Sequence, residues 1–231
     1  MDGLLGRTGI QERSRSLHGK RHMNSSRSRG FSLLELMIVV LIGFTVASMS
    51  VIALMPLFNR GHIDSAYDTT LGAMRNARHL AITQSHQYYV NFIPAVAPTP
   101  AQIQITYQPP AAVVGGVLPP VQNVMTYSLP QDVNFAVVAG LPVTAPDSFG
   151  TGLVPLDFGQ GLGAGSLNFV SFLPDGSSQD NVGNYNSGIL YMTRTGDTVY
   201  STRAITVWGT TGRIRGWRLY KVGGANTWVQ Q

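Results

Sequence analysis

The pattern of hydrophobic and polar positions changes three times along the chain. Residues 1–30 show no hydrophobic periodicity, whereas residues 31–58 are almost entirely apolar. From Leu36 to Met55 there is no charged side chain, and a helix of that length spans roughly 30 Å, the thickness of a bilayer core. The pattern therefore predicts a transmembrane helix rather than a helix buried in a protein core. A secretory signal peptide fits less well, because its apolar region is shorter and ends in a cleavage site of small residues.

Hydrophobic positions recur every three or four residues after the apolar run. They are Ile63, Ala66, Tyr67, Thr70, Leu71, Met74, Ala77, Ala81, Ile82 and Ser85. Polar residues such as Asp64, Asp68, Arg75 and Arg78 fall mostly between them. This spacing predicts an amphipathic helix that buries one stripe of side chains against a core.

From Gln87 onward, short runs rich in β-branched and aromatic residues alternate with Gly, Pro, Asn and Asp, which is typical of strands and turns. Eight strands are predicted: Gln87–Ile93, Gln102–Tyr107, Val121–Leu129, Val133–Val138, Ser166–Leu173, Gly188–Arg194, Thr198–Trp208 and Arg213–Val222. Thr195-Gly196-Asp197 is predicted to be a hairpin turn. The predicted fold class is α+β: a long N-terminal helix, first transmembrane and then amphipathic, packed on an antiparallel β-sheet domain.

Two stretches interrupt the predicted strands. Residues 94–120 contain seven prolines, and residues 139–165 contain seven glycines. Both are predicted to be long surface loops, the first with extended polyproline segments. Long loops inside a compact domain serve as binding elements or stay disordered, and the sequence leaves both alternatives open.

The net charge of the 231-residue chain is +5, with no cysteine. Residues 1–30 carry seven basic and two acidic side chains, so they account for all of it, and residues 31–231 carry nine of each. The basic segment therefore indicates membrane orientation rather than an acidic ligand. By the positive-inside rule, the N-terminus stays in the cytoplasm and the remainder is sent outward across the membrane.

One charge stands at the edge of the apolar run. A carboxylate inside a transmembrane segment costs about 3 kcal/mol on insertion scales, so Glu35 requires an explanation. It either lies hydrated in the headgroup layer near the positive end of the helix dipole, or pairs with a cation from a neighbouring subunit. Spacing alone leaves the two readings open.

The run Arg29-Gly30-Phe31-Ser32-Leu33-Leu34-Glu35-Leu36 resembles the processing motif of type IV prepilins and type II secretion pseudopilins. The resemblance implies cleavage after Gly30 by the prepilin peptidase/N-methyltransferase on the cytoplasmic side, and N-methylation of the new N-terminal Phe31. It also implies that Glu35 offsets the N-terminal amine of the adjacent subunit during filament assembly.

A second resemblance covers the C-terminal half. Phe172-Leu173-Pro174-Asp175-Gly176, Ala204-Ile205-Thr206-Val207 and Thr211-Gly212-Arg213-Ile214-Arg215 are similar to segments of the GspH/FimT group. These proteins are minor pseudopilins of type II secretion and minor pilins of type IV pili. The resemblance implies a type IV pilin-like fold, a single-pass inner-membrane anchor, and a periplasmic or surface filament whose partners are other pilin or pseudopilin subunits.

Four segments follow from these patterns. They are a basic leader that is cleaved, 1–30; a transmembrane or filament-core helix, 31–58; an amphipathic helix and first strand, 59–92; and a periplasmic β-rich domain, 93–231, that includes the loops 94–120 and 139–165.

Catalytic chemistry has no matching motif in the sequence. Neither G-x-S-x-G nor H-E-x-x-H occurs, and the lack of cysteine excludes a thiolate nucleophile or a thiolate zinc site. His79 and His86 are seven residues apart, which is not the spacing of helical metal ligands. We therefore expect no enzyme, no metal site and no cofactor.

The remaining charged feature lies at the C-terminus. Residues 198–231 contain no acid and five cations, whereas residues 31–197 carry a net charge of −5. Arg213, Arg215 and Trp217 alternate onto one face of the last predicted strand, and Arg218 and Lys221 follow. Such a row can grip a phosphate backbone and stack on bases, and in the FimT branch the residues matching Gly212-Arg213-x-Arg215 are implicated in DNA binding during DNA uptake. The other reading is a solvated face, or a contact with an acidic neighbouring subunit.

Two functions thus stay open on the sequence. One is a minor pseudopilin that assembles through its N-terminal helix for protein export. The other is a minor type IV pilin whose basic C-terminal strand binds DNA.

Overall fold

A computed structural model of the chain describes residues 31–107, 120–150, 152–160, 168–180 and 183–231, with the side chains of residues 52–60 and Gln160 excepted. The predicted leader with Gly30, much of the proline-rich stretch and part of the glycine-rich stretch lie outside the described residues. The chain divides into two units between Met49 and Ser50.

One helix, α1, runs from Leu33 to Gln84. Its part within the second unit buries most of the predicted stripe, since Ile63, Ala66, Met74, Ala77 and Ala81 are each at most 1% exposed. The prediction is wrong for the end of the stripe, because Ile82, at 44%, and Ser85 are exposed. Ser85 takes a left-handed φ of 56° and ends the helix. The first strand begins three residues later.

Ten strands follow the helix. Their bounds are β1 Tyr88–Ile93, β2 Gln102–Tyr107, β3 Gln122–Ser128, β4 Val133–Asn134, β5 Leu156–Gln160, β6 Phe169–Phe172, β7 Ser187–Arg194, β8 Arg203–Trp208, β9 Arg213–Val222 and β10 Ala225–Gln230. Among the described residues they form two sheets, one in the order β3-β2-β1-β6 and one in the order β10-β9-β8-β7-β4, with β5 also paired to β7. Every pairing of named strands is antiparallel. The predicted α+β class is therefore confirmed.

The main core lies where the helical stripe meets both sheets. It combines helix residues such as Met74 with Phe92 and Ile105 of the small sheet and with Leu190 and Ile205 of the large one. The opposite face of the large sheet is also covered, because Ile189, Tyr191 and Ala204 pack with Ala145 in a second cluster. This double cover explains why β7 is buried at almost every position rather than at alternate ones.

The glycine-rich stretch differs most from its prediction. It was expected to be a surface loop over 139–165, yet it contains β5, whose Leu156 and Phe158 are buried. Leu141, Ala145 and Phe149 pack on the second face of the large sheet. The glycine and proline content of this stretch is typical of a loop. That the stretch packs over the second face of the large sheet is a property of the tertiary structure, which local composition does not show.

The prediction of a surface loop over 94–120 is also wrong in part, because β2 lies within it and buries Ile103 and Ile105 in the main core.

Other strands differ in extent. The predicted strand Val133–Val138 is reduced to β4, and the predicted strand from Thr198 begins only at Arg203, after a 3-10 turn at Val199–Ser201. β10 is absent from the predicted strands, although three of its six residues are apolar. The signal was present, because Gly223-Gly224 forms a two-residue turn with φ of 58° and 89° between β9 and β10.

Candidate functional site

The apolar part of α1 is exposed along its length. Leu33–Val51 forms a 19-residue stretch of mean hydropathy 2.2 that is long and apolar enough to cross a membrane, and none of it is buried within the protein. Leu33, Met37 and Phe44 are 63–76% exposed. Apolar surface of this extent requires lipid or other helices to cover it.

Glu35 lies in the first turn of this helix. The helix begins at Leu33, its first backbone hydrogen bond runs from the Leu36 amide to the Ser32 carbonyl at 3.1 Å, and Phe31 precedes it with its side chain 77% exposed. Phe31 and Glu35 are therefore about one helical turn apart. A carboxylate in the first turn is favoured by the positive end of the helix dipole, but the exposed position leaves it available to a cation from outside the chain. Gly30 lies outside the described residues.

Residues 25–51 carry the prokaryotic N-terminal methylation motif. This motif is the signal of type IV pilins and pseudopilins, and it supports a chain of that kind. It implies processing by prepilin peptidase and assembly with other pilins, and together with the apolar helix it fits a membrane-anchored pilin. No curated protein and no solved structure matches the chain.

The methylation motif does not reach the basic C-terminal strand, where the predicted residues have separate surroundings. The Arg215 guanidinium bonds to the Asp147 carboxylate at 2.6 Å, and the Asp147 side chain is only 5% exposed. Asp147 also accepts a hydrogen bond from Thr206 at 2.6 Å. Arg215 thus neutralises a buried carboxylate and fastens residues 145–149 to the sheet.

Trp217 is also engaged inside the protein. Its indole N–H donates to the Thr206 hydroxyl at 3.0 Å, and its ring packs against the cluster on the second face of the large sheet. Arg218 lies 5.6 Å from the Tyr220 ring centre, and Lys221 is exposed. The structure therefore does not bring the five residues together as one row. Arg213, Arg218 and Lys221 have no ion pair among the described residues.

Arg213 belongs to a different group of cations. It lines a pocket of about 590 Å³ together with Arg75, Arg78 and His79 of α1, Thr211 and Gly212 of the β8–β9 turn, and Ile214 of β9. We call this the basic pocket. Arg78 is held in place, because its Nε donates to the Gly176 carbonyl and its Nη2 to the Thr211 carbonyl, each at 3.0 Å. Within the described part of the chain, no carboxylate lines the pocket.

The basic pocket was not predicted as a unit. Arg75 and Arg78 appear in the sequence as polar positions on a helix, and Arg213 appears as the first residue of a strand 135 positions after Arg78. Only the packing of α1 across the β8–β9 turn brings them together. The polar positions of Arg75 and His79 on the predicted helix could be read from the sequence. The residues that lie beside them in the folded chain could not.

A second polar cluster ties the helix to the large sheet. His62 Nδ1 lies 3.0 Å from the Asp132 carboxylate, and Arg194 Nε donates to the same carboxylate at 2.6 Å. Burial raises the pKa of the Asp132 carboxyl, but hydrogen bonds from His62 and Arg194 outweigh this and hold that pKa below its ordinary value. The cluster is a structural clasp between α1 and the end of β7.

Among the described residues, no three His, Cys, Asp or Glu side chains are grouped so that they can hold a metal ion.

Proposed function

We propose that the chain is a structural subunit of a type II secretion pseudopilus or a related type IV filament, of the minor GspH/FimT type. It enters the inner membrane with its N-terminus cytoplasmic and its β-rich domain periplasmic. It is cleaved after Gly30, methylated at Phe31 and assembled through its N-terminal helix for protein export. The observation that carries this proposal is the methylation motif on a fully exposed apolar helix with Glu35 in its first turn.

The physical role of Glu35 follows from its position. Cleavage before Phe31 creates a positively charged amine about one helical turn from the carboxylate. In a bundle of parallel helices shielded from water, neither charge is tolerated without a counter-charge. Pairing of the Glu35 carboxylate with the amine of a neighbouring subunit satisfies both charges only when the helices are in one axial register. Because a buried charge without a partner is unfavourable, this pairing favours one alignment of the subunits.

Processing and assembly are tested separately in the full chain. Co-expressed with a prepilin peptidase, the chain should lose its 30 leader residues and gain one methyl group on Phe31, as read by mass spectrometry. Gly30→Leu should block the cleavage, and a peptidase without active-site function is the control.

Glu35→Ala should leave cleavage and methylation intact but prevent recovery of the subunit in sheared or cross-linked filaments. Glu35→Gln, which keeps the shape but not the charge, should behave like Glu35→Ala. Incorporation of either variant at the level of the parent chain contradicts the assigned role of Glu35.

An alternative function is a minor type IV pilin that binds DNA for uptake. It is supported by the cations at Arg213, Arg218 and Lys221, which have no ion pair among the described residues. It is weakened by the internal engagement of Arg215 and Trp217, which interrupts the row of charges on β9 and removes its indole as a stacking platform.

DNA binding is measured by the mobility shift of duplex DNA with the full chain in detergent, across a salt series. If the alternative holds, affinity falls steeply with salt, and Arg213→Ala with Lys221→Ala abolishes binding. Arg215 is left unchanged because its loss disturbs Asp147. Absence of binding at low salt removes the alternative.

A further inference from the structure

The small sheet, in the order β3-β2-β1-β6, buries one of its faces in the main core and turns the other away from it. Along β1, Tyr88, Val90 and Phe92 are at most 2% exposed and belong to the core. Successive side chains of a strand alternate between the two faces. Tyr89 and Asn91 therefore lie on the outer face.

The strand register places the neighbours of these two side chains on the same outer face. Thr106 of β2 and Ser171 of β6 pair with Tyr89 from its two sides, and Phe169 of β6 pairs with Asn91. Although Thr106 and Ser171 face away from the core, they are only 8% and 0% exposed. The outer face is therefore recessed beside Tyr89 and is not a flat surface in water.

A cavity of about 470 Å³ lies on this face, within the range of about 300–1,000 Å³ that is usual for small-molecule sites. Its lining includes two aromatic rings, three neutral hydrogen-bonding side chains and one carboxylate: Tyr89, Phe169, Gln87, Asn91, Thr106 and Asp180. We call this the small-sheet cavity. Within the described part of the chain, no cation lines it.

The amides of the small-sheet cavity are held by neighbouring hydroxyls. Asn91 Nδ2 donates to the Thr106 hydroxyl at 3.0 Å. Gln87 Nε2 donates to the Ser171 hydroxyl at 3.2 Å, and Ser171 in turn donates to the Gln179 carbonyl. Each amide keeps its carbonyl oxygen and one N–H without a partner among the described residues. The amides are thus preorganised for a ligand that both donates and accepts hydrogen bonds.

Two aromatic rings form a corner of the cavity. Phe169 lies diagonally across from Tyr89 on neighbouring strands, within reach of an aromatic side chain. The two ring centres are 6.0 Å apart and the ring planes are inclined by 60°. Burial raises the pKa of the Tyr89 phenol, so this group stays an O–H donor at neutral pH. The corner therefore offers apolar ring surface beside a hydrogen-bond donor.

A sugar ring matches both kinds of surface. Its C–H faces pack on aromatic rings, and its hydroxyls donate to and accept from amides. A polyanion is disfavoured, because the charged side chain in the lining, Asp180, is acidic. An extended peptide needs the unpaired backbone of a sheet edge, whereas β1 is paired on both sides.

We propose that the small-sheet cavity binds an uncharged saccharide, with a sugar ring packed in the corner of Tyr89 and Phe169 and its hydroxyls bonded to the amide of Asn91. The inference adds a ligand to the chain and does not depend on how the chain is assembled. Such a sugar has two sources. One is a cell-wall strand of N-acetylated amino sugars, and the other is a neutral hexose polysaccharide.

Binding is measured with the full chain in a zwitterionic detergent, because detergents with glucose or maltose headgroups compete for the same site. Chitotriose represents the N-acetylated sugars, and cellotriose, maltotriose and mannotriose represent the neutral hexoses. Saturation-transfer NMR detects contact, and titration gives the Kd. Binding of chitotriose alone assigns the cell-wall source, and binding of a hexose trimer alone assigns the polysaccharide. Absence of binding to all of them at millimolar concentration overturns the inference.

The ring contact is tested with Tyr89→Ala, which should weaken binding about tenfold, the upper range for an aromatic contact. Tyr89→Phe keeps the ring and should weaken binding less. Tyr220→Ala is the matched control, because Tyr220 is a tyrosine of β9 in the large sheet, 39% exposed and outside the cavity. It should leave the Kd unchanged.

The amide contact is tested with Asn91→Asp, which keeps the size of the side chain but replaces its N–H donors with a carboxylate. Binding should weaken about fivefold, the value of one hydrogen bond. Gln102→Glu is the matched control, because Gln102 lies on the same outer face opposite Ile93 and does not line the cavity. Thermal unfolding of each variant shows whether its fold is retained. Saccharide binding at the parent level in folded Tyr89→Ala and Asn91→Asp overturns the location.

Two other occupants are outcomes of the same test. Duplex DNA or an extended neutral peptide that binds in a manner dependent on Tyr89 and Asn91, without binding of any saccharide, overturns the inference and assigns the cavity to that ligand. Cleavage, methylation and filament incorporation are read separately. Failure of saccharide binding therefore leaves the proposed function standing, and failure of assembly leaves this inference standing.

Discussion

A single contact in the structure changes the interpretation of Arg215. In the sequence it stands in a row of cations and is a candidate ligand for phosphate. In the structure it is held by Asp147, whose φ of 54° places it in the left-handed region and turns its carboxylate toward the sheet. A carboxylate that is 5% exposed requires a counter-charge.

Arg215→Ala should therefore destabilise the protein by about 2 kcal/mol, because it leaves the Asp147 carboxylate buried and unpaired. Arg213→Ala is the matched control. Its side chain is exposed, and the change should stay within about 0.5 kcal/mol. Thermal unfolding of the full chain in detergent measures both. Equal stability of the two variants contradicts a structural role for Arg215.

Replacement of glycine by alanine is expected to have opposite effects on stability at two positions. A Cβ on Gly216 would lie 2.7 Å from Tyr67 Cζ and closer still to its buried hydroxyl. Gly216→Ala should thus push α1 away from β9 and cost about 2 kcal/mol. Gly72 is exposed inside the helix with open space around it, so Gly72→Ala should stabilise by about 1 kcal/mol. Chemical denaturation distinguishes the two, and loss of stability in both variants excludes this account.

At the scale of elements, charged side chains fix the helix to the large sheet. Arg203 of β8 is 3% exposed and bonds Asp64 of α1 at 2.6 Å, while its Nη1 donates to the carbonyls of Tyr200, Ser201 and Thr202. The clasp of His62, Asp132 and Arg194 lies nearby on the same helix. Apolar packing brings the elements together, and these directed contacts select one orientation.

The clasp makes an acid-dependent contribution to stability. The folded-state pKa of Asp132 lies below its ordinary value of 3.8. The stability that this carboxylate contributes is therefore present in full above pH 3.8 and is lost as the pH falls through the lower folded-state pKa. Asp132→Asn should lower stability by about 1 kcal/mol at neutral pH and by progressively less below about pH 4.

Melting curves of the parent and Asp132→Asn chains over a pH series measure this difference. Arg213→Ala again serves as control, because its effect should not vary with pH in this range. A difference between parent and Asp132→Asn that persists unchanged at about pH 2 contradicts the assignment.

At the scale of the whole molecule, the two units differ in whether their apolar side chains are buried within the chain. The unit from Ser50 to Gln231 buries its own core, whereas the residues from Leu33 to Met49 bury nothing within the chain. Folding of the first part is therefore completed by its surroundings, a membrane or a bundle of like helices. The methylation motif, together with this helix, fits a membrane-anchored pilin.

The full chain should consequently remain in the membrane fraction after extraction with alkaline carbonate. Replacement of Val39, Val40 and Leu41 by Asp, Asp and Lys should release it, because each charge at the centre of a spanning helix costs about 3 kcal/mol. Immunoblots of the soluble and pellet fractions provide the measurement. Release of the parent chain under the same conditions contradicts membrane anchoring.

The fold class, the apolar helix and its buried stripe could be predicted because each depends on local periodicity. Most strand positions followed for the same reason. β5 could not be predicted, because Leu156–Gln160 resembles a turn unless β7 is beside it. β4 was predicted too long, because its pairing with β7 ends after two residues, at Val133 and Asn134.

The candidate functional residues also divide into those that the sequence predicts and those whose surroundings depend on the fold. Gly30, Phe31 and Glu35 lie within six consecutive residues of the matched methylation motif, so the sequence by itself is sufficient to propose them. The surroundings of Arg213 and Arg215 depend on residues more than 60 positions away. Tertiary packing alone decided that Arg215 neutralises Asp147 and that Arg213 joins Arg75 and Arg78 in one pocket. The physical reason is the short range of hydrogen bonds and ion pairs: the partners of a charge are set by distance in space, which the order of residues does not record.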